Sequence, residues 1–144
     1  MTRVSDLMRN KGRNVWSIIP TATVYEAIEE MADKGVGALL VMQGEQLVGI
    51  VSERDYARKV ILMGKSSRET EVREIMSYPV ICVPPDMTIE HTMALMTEKR
   101  VRHLPVVVGD TVLGVISIGD VIRSMIDEKE FYIQQLTAYI TTGG

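Results

Sequence analysis

The sequence has little of what many chemistries require. One cysteine, two histidines, one tryptophan and one phenylalanine stand among 144 residues. A single cysteine forms no intrachain disulfide and no thiolate zinc cluster, so a reducing compartment, the cytoplasm, is expected. Cys82 lies in an apolar run over residues 80–83 and reads as a small buried hydrophobe. Aromatic residues make up 5%, too few for platforms on which nucleobases stack. The net charge of −3 lacks the basic excess of a nucleic-acid-binding domain. No apolar run approaches the ~18 residues that cross a bilayer, and residues 1–6 have no signal-peptide core. The sequence contains no P-loop, no nucleophile–base arrangement and no cluster of metal-ligand residues. This argues against an enzyme and against a bound metal.

What is present is present twice. Residues 20–59 align with residues 85–124 at a constant offset of 65, without a gap, and 12 of the 40 pairs are identical. Ordinary composition gives roughly two or three by chance. The identities include Thr23/Thr88, Met31/Met96, Gly49/Gly114, Ser52/Ser117 and Asp55/Asp120. A duplication implies internal pseudo-symmetry and therefore paired sites.

Each copy reads as β-α-β-β-α. A short segment opens it (residues 4–8 and 72–76), followed by a short β run (15–19 and 80–83). Thr23 and Thr88 stand at N-cap positions. The stripes Val24, Ala27, Ile28, Met31 and Ile89, Thr92, Met93, Met96 follow with the i, i+3, i+4, i+7 spacing of one buried helix face. Two apolar strands joined by a tight turn come next: 38–42 with 47–51, and 104–108 with 112–116. Gly49 and Gly114, in mid-strand, indicate a bulge or a close approach of backbone or ligand. Closing helices are expected over 56–63 and 121–126. A further amphipathic helix over 128–140 must lay its apolar face on its own domain or on a second chain. Residues 1–64 and 71–127 thus form two motifs, 65–70 a polar linker and 128–144 a C-terminal helix and tail. One motif alone buries too little surface for comfort, so the two are expected to pack sheet to sheet as an α/β unit.

The polar identities fall where a strand ends and a helix begins. Ser52 and Asp55, like Ser117 and Asp120, form a Ser-x-x-Asp segment. A helix N-terminus offers unpaired N–H groups and a positive dipole end. The serine hydroxyl can bond a phosphate or ribose, and the aspartate can accept from a ribose diol. The same residues also serve as an ordinary N-cap and first-turn acid; repetition in register favours a binding role.

Residues 51–55 and 116–120, with the upstream segments 37–41 and 102–106, make the chain resemble tandem cystathionine-β-synthase (CBS) motifs, a pair of which forms a Bateman module. The resemblance covers roughly residues 3–127 and looks like a stand-alone pair with no fused enzyme. It implies adenine-nucleotide binding, of AMP, ATP or NAD(H), in clefts between the motifs. It places ribose on Asp55 and Asp120, and ribose or phosphate on Ser52 and Ser117. Adenine falls near Ile18, Ile19, Gly37 and Ala38 in one copy and near Ile81, Val83, Arg102 and His103 in the other. A non-catalytic energy-sensing role is implied, in a homodimer that regulates a protein not named by the sequence. An interaction module with vestigial nucleotide sites is the alternative. The copies are unequal: Arg102 and His103 replace Gly37 and Ala38, whereas Arg54 and Lys59 stand against Gly119 and Ser124. Two non-equivalent sites are expected.

Overall fold

The computed structural model describes residues 1–12 and 14–142. Arg13, and Gly143 and Gly144 of the expected tail, lie outside the described residues. In chain order the elements are α1 (Val4–Lys11), β1 (Ser17–Ile18), α2 (Val24–Lys34), β2 (Ala38–Gln43), β3 (Gln46–Ser52), α3 (Glu53–Tyr56), α4 (Ile89–Lys99), β4 (His103–Val108), β5 (Thr111–Ser117) and α5 (Ile118–Thr142). A π-helical turn, Ala57–Ile61, continues α3, and a 3-10 turn covers Val72–Glu74. The chain thus has the mixed α/β architecture expected, with two similar motifs and a C-terminal helix.

The elements gather into two compact units, Asn14–Ile81 and Met1–Arg13 together with Cys82–Gly144. Each unit therefore holds one copy's strand pair and the other copy's opening segment. In the first unit β1 runs parallel to β2, which pairs antiparallel with β3. Val72 N donates to Ala22 O at 2.8 Å and Arg73 N to Pro20 O at 2.9 Å, tying the 3-10 turn to the start of α2. In the second unit β4 and β5 pair antiparallel. Here Val4 N donates to Met87 O at 2.9 Å and Ser5 N to Pro85 O at 2.8 Å, tying α1 to the start of α4. The same pair of hydrogen bonds is made in both units, each time by a segment from the other repeat.

The amphipathic stripes pack as expected. Val24, Ala27, Met31, Leu39, Val41 and Val51 are buried in the first unit. Ile89, Thr92, Met96, Leu104, Val106 and Ile116 are buried in the second. Thr92 hides its hydroxyl by donating to Thr88 O at 2.8 Å, which satisfies a buried polar group within its own helix. Thr23 and Thr88 are N-caps, accepting from Glu26 N at 3.1 Å and His91 N at 3.2 Å.

Three expectations change. The β run over 80–83 is reduced to a single parallel bridge, Val83 to Val106. The helices expected over 121–126 and 128–140 are one continuous helix, α5, of 25 residues; residues 127–129 hold no glycine or proline to stop it. The mid-strand glycines do lie opposite register shifts, between Val41 and Met42 and between Val106 and Val107. What approaches them in each unit is a methionine side chain. A Cβ on Gly49 would stand 2.4 Å from Met76 Sδ, and one on Gly114 would stand 2.3 Å from Met8 Cε. Met8 and Met76 end the two opening segments, so each glycine is the socket of its unit's segment.

Candidate functional site

Each strand pair delivers a Ser-x-x-Asp segment directly into a helix. Ser52 is the N-cap of α3, with extended backbone (φ −130, ψ 165). Its hydroxyl accepts from Asp55 N at 3.2 Å and donates to Asp55 Oδ2 at 3.1 Å, and its N–H donates to the same oxygen at 3.0 Å. In the other unit Ser117 N donates to Asp120 Oδ2 at 2.8 Å, and Asp120 N donates to Ser117 Oγ at 3.2 Å. Both pairs are reciprocal capping boxes. The ordinary reading of these residues is therefore correct as local structure. It also has a consequence for chemistry, because each box fixes its aspartate in one rotamer, with Oδ2 committed and Oδ1 turned elsewhere.

The strand register brings the other expected residues to these boxes. Ala38 pairs with Ser52, and Glu53 N donates to Gly37 O at 3.0 Å. His103 pairs with Ser117, and Ile118 N donates to Arg102 O at 2.8 Å. Gly37 and Ala38 thus flank one box as Arg102 and His103 flank the other. Ile18 and Val83 stand farther off, pairing with Val41 and Val106, each three positions along the strand from Ala38 or His103. Arg54 and Gly119 occupy the exposed first turn of their helices. Beside Gly37 an open depression of about 330 Å³ is lined by Ile28, Met31, Gly35, Val36 and Glu53.

Each aspartate also meets a lysine. Lys59 Nζ lies 3.3 Å from Asp55 Oδ1 and donates to Ile75 O at 2.8 Å. It is carried on the π-helical turn, a distortion often found at functional positions. Lys11 Nζ donates to Asp120 Oδ2 and, at 2.7 Å, to Val115 O. Arg123 Nη1 stands 3.9 Å from Asp120 Oδ1. Both carboxylates are sheltered, with 14% and 15% of the side chain exposed, so these charges act through little water. The role of Lys11 was not apparent from the sequence. It ends α1, 109 residues from its partner, and no local pattern carries such a contact.

The electrostatics of the second box follow from this arrangement. Burial works to raise the Asp120 pKa. The Lys11 hydrogen bond, the Ser117 backbone N–H, the Lys11 charge and the Ser117 hydroxyl outweigh it and hold the group below its ordinary value. Burial pushes His103 down, as do the charges of Lys11 and Arg102, with Asp120 opposing. A histidine whose folded pKa is lowered adds its full stability above the unfolded value near 6.5 and loses it as the pH falls through the folded value. Replacing Lys11 with methionine is expected to move the His103 titration up, toward that ordinary value. Imidazole NMR titration of the wild type and Lys11→Met measures this; an unchanged midpoint contradicts the coupling.

A similar duplication is found in known proteins. The sequence profile of the CBS domain matches residues 4–61 and 72–127. The chain belongs to the CBS-domain family. The CBS domain-containing protein CBSX3, mitochondrial, of Arabidopsis thaliana is 42% identical over 151 residues, covering 99% of this chain and 73% of that protein. A solved protein with CBS domains from Burkholderia ambifaria MC40-6 is 47% identical with a TM-score of 0.84, over 88% of this chain and 95% of that one. The CBS domain pair of protein MJ0100, in complex with 5′-methylthioadenosine and S-adenosyl-L-methionine, shares the fold at 22% identity with a TM-score of 0.79, over 89% of this chain and 98% of that one. Among the described residues, no three His, Cys, Asp or Glu side chains come close enough to hold a metal. No helix among them is long and apolar enough to cross a membrane.

Proposed function

We propose that this CBS pair is a non-catalytic sensor that binds adenine nucleotides, AMP-type ligands or NAD(H), with one recognition point at each Ser-x-x-Asp box. The observation that carries this reading is the pair of capping boxes. They hold Asp55 and Asp120 in matching geometry at a helix N-terminus, opposite Ala38 in one copy and His103 in the other. The carboxylate accepts the ribose diol and Ser52 or Ser117 meets ribose or phosphate, while Ile18 or Val83 and the 37–38 or 102–103 corner flank adenine. Arg54 and Gly119 border the entrance. Adenosine is the moiety common to the nucleotides proposed here and to both ligands of the MJ0100 pair.

Inequality between the boxes sets ligand choice. Arg102 and His103 add positive or proton-accepting groups beside Asp120, and a phosphate there favours protonated His103. The Gly37 corner has no such charge and a depression beside it. The chain works as a homodimer in the cytoplasm, in keeping with its single cysteine, and the nucleotide alters its affinity for a regulated protein through the differential stability of two states. Mass spectrometry of small molecules released from the purified protein, followed by calorimetry with AMP, ATP, NAD(H) and S-adenosylmethionine, tests the reading. An adenosine ligand is expected in both experiments. Chemical turnover of the bound nucleotide would instead make the protein an enzyme. The alternative, an interaction module with vestigial sites, draws on the lysines that already occupy both aspartates. It requires null calorimetry and partner capture indifferent to nucleotide.

A further inference from the structure

Beyond Glu128, α5 projects without cover. Every residue from 129 to 140 is exposed, among them Ile133 at 62%, Leu136 at 63% and Ile140 at 72%. Residues 126–142 extend about 25 Å at 1.5 Å per residue. A helix of this length draws its stability in water mainly from packing an apolar face. Apolar residues concentrate on one stripe of it, with the exposed Phe131 lying off that stripe. Ile126, Ile133, Leu136 and Ile140 recur at spacings of 7, 3 and 4, the a and d positions of a heptad. Tyr132 and Tyr139 flank them at g positions. Lys129 takes the d position between Ile126 and Ile133, the one charge on the stripe among the described residues.

We infer that this face is the seam on which two copies of the chain pair, with their α5 helices antiparallel. The inference rests on the homodimer reading above and adds the surface and its direction. The placement of Lys129 decides the direction. A parallel pair stacks Lys129 on its own copy inside the seam, which is like-charge burial. An antiparallel pair centred between Ile133 and Leu136 sets each of these against the other. It sends Lys129 to the outer layer beside Ile140, where its stem covers apolar surface and its ammonium reaches water. The same register puts Tyr132 beside Tyr139 along one edge and Glu130 beside Thr137 along the other, so no like charges meet. The contact is isologous, as a two-fold dimer requires.

Light scattering on the full chain across a dilution series, with wild type and Leu136→Asp side by side, tests the seam. The position is exposed, and circular dichroism of the variant checks that the fold is retained. Wild type is expected to self-associate and Leu136→Asp to lose one step of association. A wild type that remains a single chain overturns both the dimer and the seam. A variant that keeps the wild-type mass overturns the seam alone. For direction, Lys129→Cys and Ile140→Cys proteins are each made in a Cys82→Ala background and mixed under mild oxidation. The mixed disulfide is expected; efficient coupling of Lys129→Cys to itself shows a parallel pair and overturns the antiparallel assignment.

Discussion

Asp120→Ala is expected to weaken adenine-nucleotide binding at the second box about a hundredfold. Ser117 N fixes the aspartate in one rotamer and Lys11 helps hold it ionised, so in the proposed complex a ribose diol that displaces Lys11 meets a charged acceptor already in place. A hydrogen bond to a charged group contributes about 1.5–3 kcal/mol. Loss of a two-pronged contact of that kind costs roughly 3 kcal/mol, or somewhat more than two decades of Kd. The substitution also opens the capping box, at about 1 kcal/mol of fold stability, so thermal denaturation must be followed in parallel. Asp55→Ala is expected to act on the other box. Its effect on a phosphate-bearing ligand is smaller, because Gly37 and Ala38 replace Arg102 and His103 beside it. Calorimetry with AMP and with adenosine separates the two contributions. Identical losses in both variants for both ligands contradict the inequality of the sites.

The largest expected effect on stability belongs to Gly49→Ala. The new methyl would lie 2.4 Å from Met76 Sδ, 2.9 Å from its Cγ and 3.2 Å from its Cβ. Relief cannot come from the end of that side chain alone, since the clash runs back to its root. Overpacking of this kind costs about 1–3 kcal/mol. Near 2 kcal/mol, Tm falls by about 4–8 °C for a chain of this size. Gly114→Ala is expected to be milder, because the nearest atom is the terminal Cε of Met8 and the next, Sδ, lies at 3.3 Å. Met8 can swing where Met76 cannot. In the Gly49→Ala background, Met76→Ala should be partly restorative, giving a coupling energy that a double-mutant cycle reads directly. Strictly additive losses contradict the socket arrangement.

These two predictions draw on different depths of the sequence. The boxes were legible because Ser52, Asp55, Ser117 and Asp120 are local: a strand end, a cap and a first turn lie within four residues, and repetition marks them out. The strand pairs were legible for the same reason, since short apolar runs and a two-residue turn fix their register nearby. The sockets were only half legible. A glycine in mid-strand announces that something comes close, but Met76 lies 27 positions after Gly49, and Met8 lies 106 positions before Gly114. Exchange of the opening segments between repeats was hidden by the symmetry itself. Residues 4–8 and 72–76 are equivalent, so either copy is an equally good home for either segment. Lys11 was missed because its donor role toward Asp120 depends on that exchange. The repeat ends inside α5, but Asp127, Glu128 and Lys129 contain no helix breaker, so the helix runs through that boundary.

The exchange bears on function. In the second unit the segment that brings Met8 to Gly114 also brings Lys11 to Asp120, both on α1. A ligand that displaces Lys11 from Asp120 therefore acts on the same helix whose packing holds the N-terminal segment in place. Under the proposed function, this is the route by which occupancy at the box alters the unit's surface.

The most direct test of the central claim is calorimetric titration of AMP into wild type and into the double variant Asp55→Ala/Asp120→Ala, with circular dichroism showing that both are folded. Saturable binding to wild type is expected, and none measurable to the folded double variant. Binding of wild-type affinity in the double variant would contradict this, because the two aspartates would then not be what holds the nucleotide.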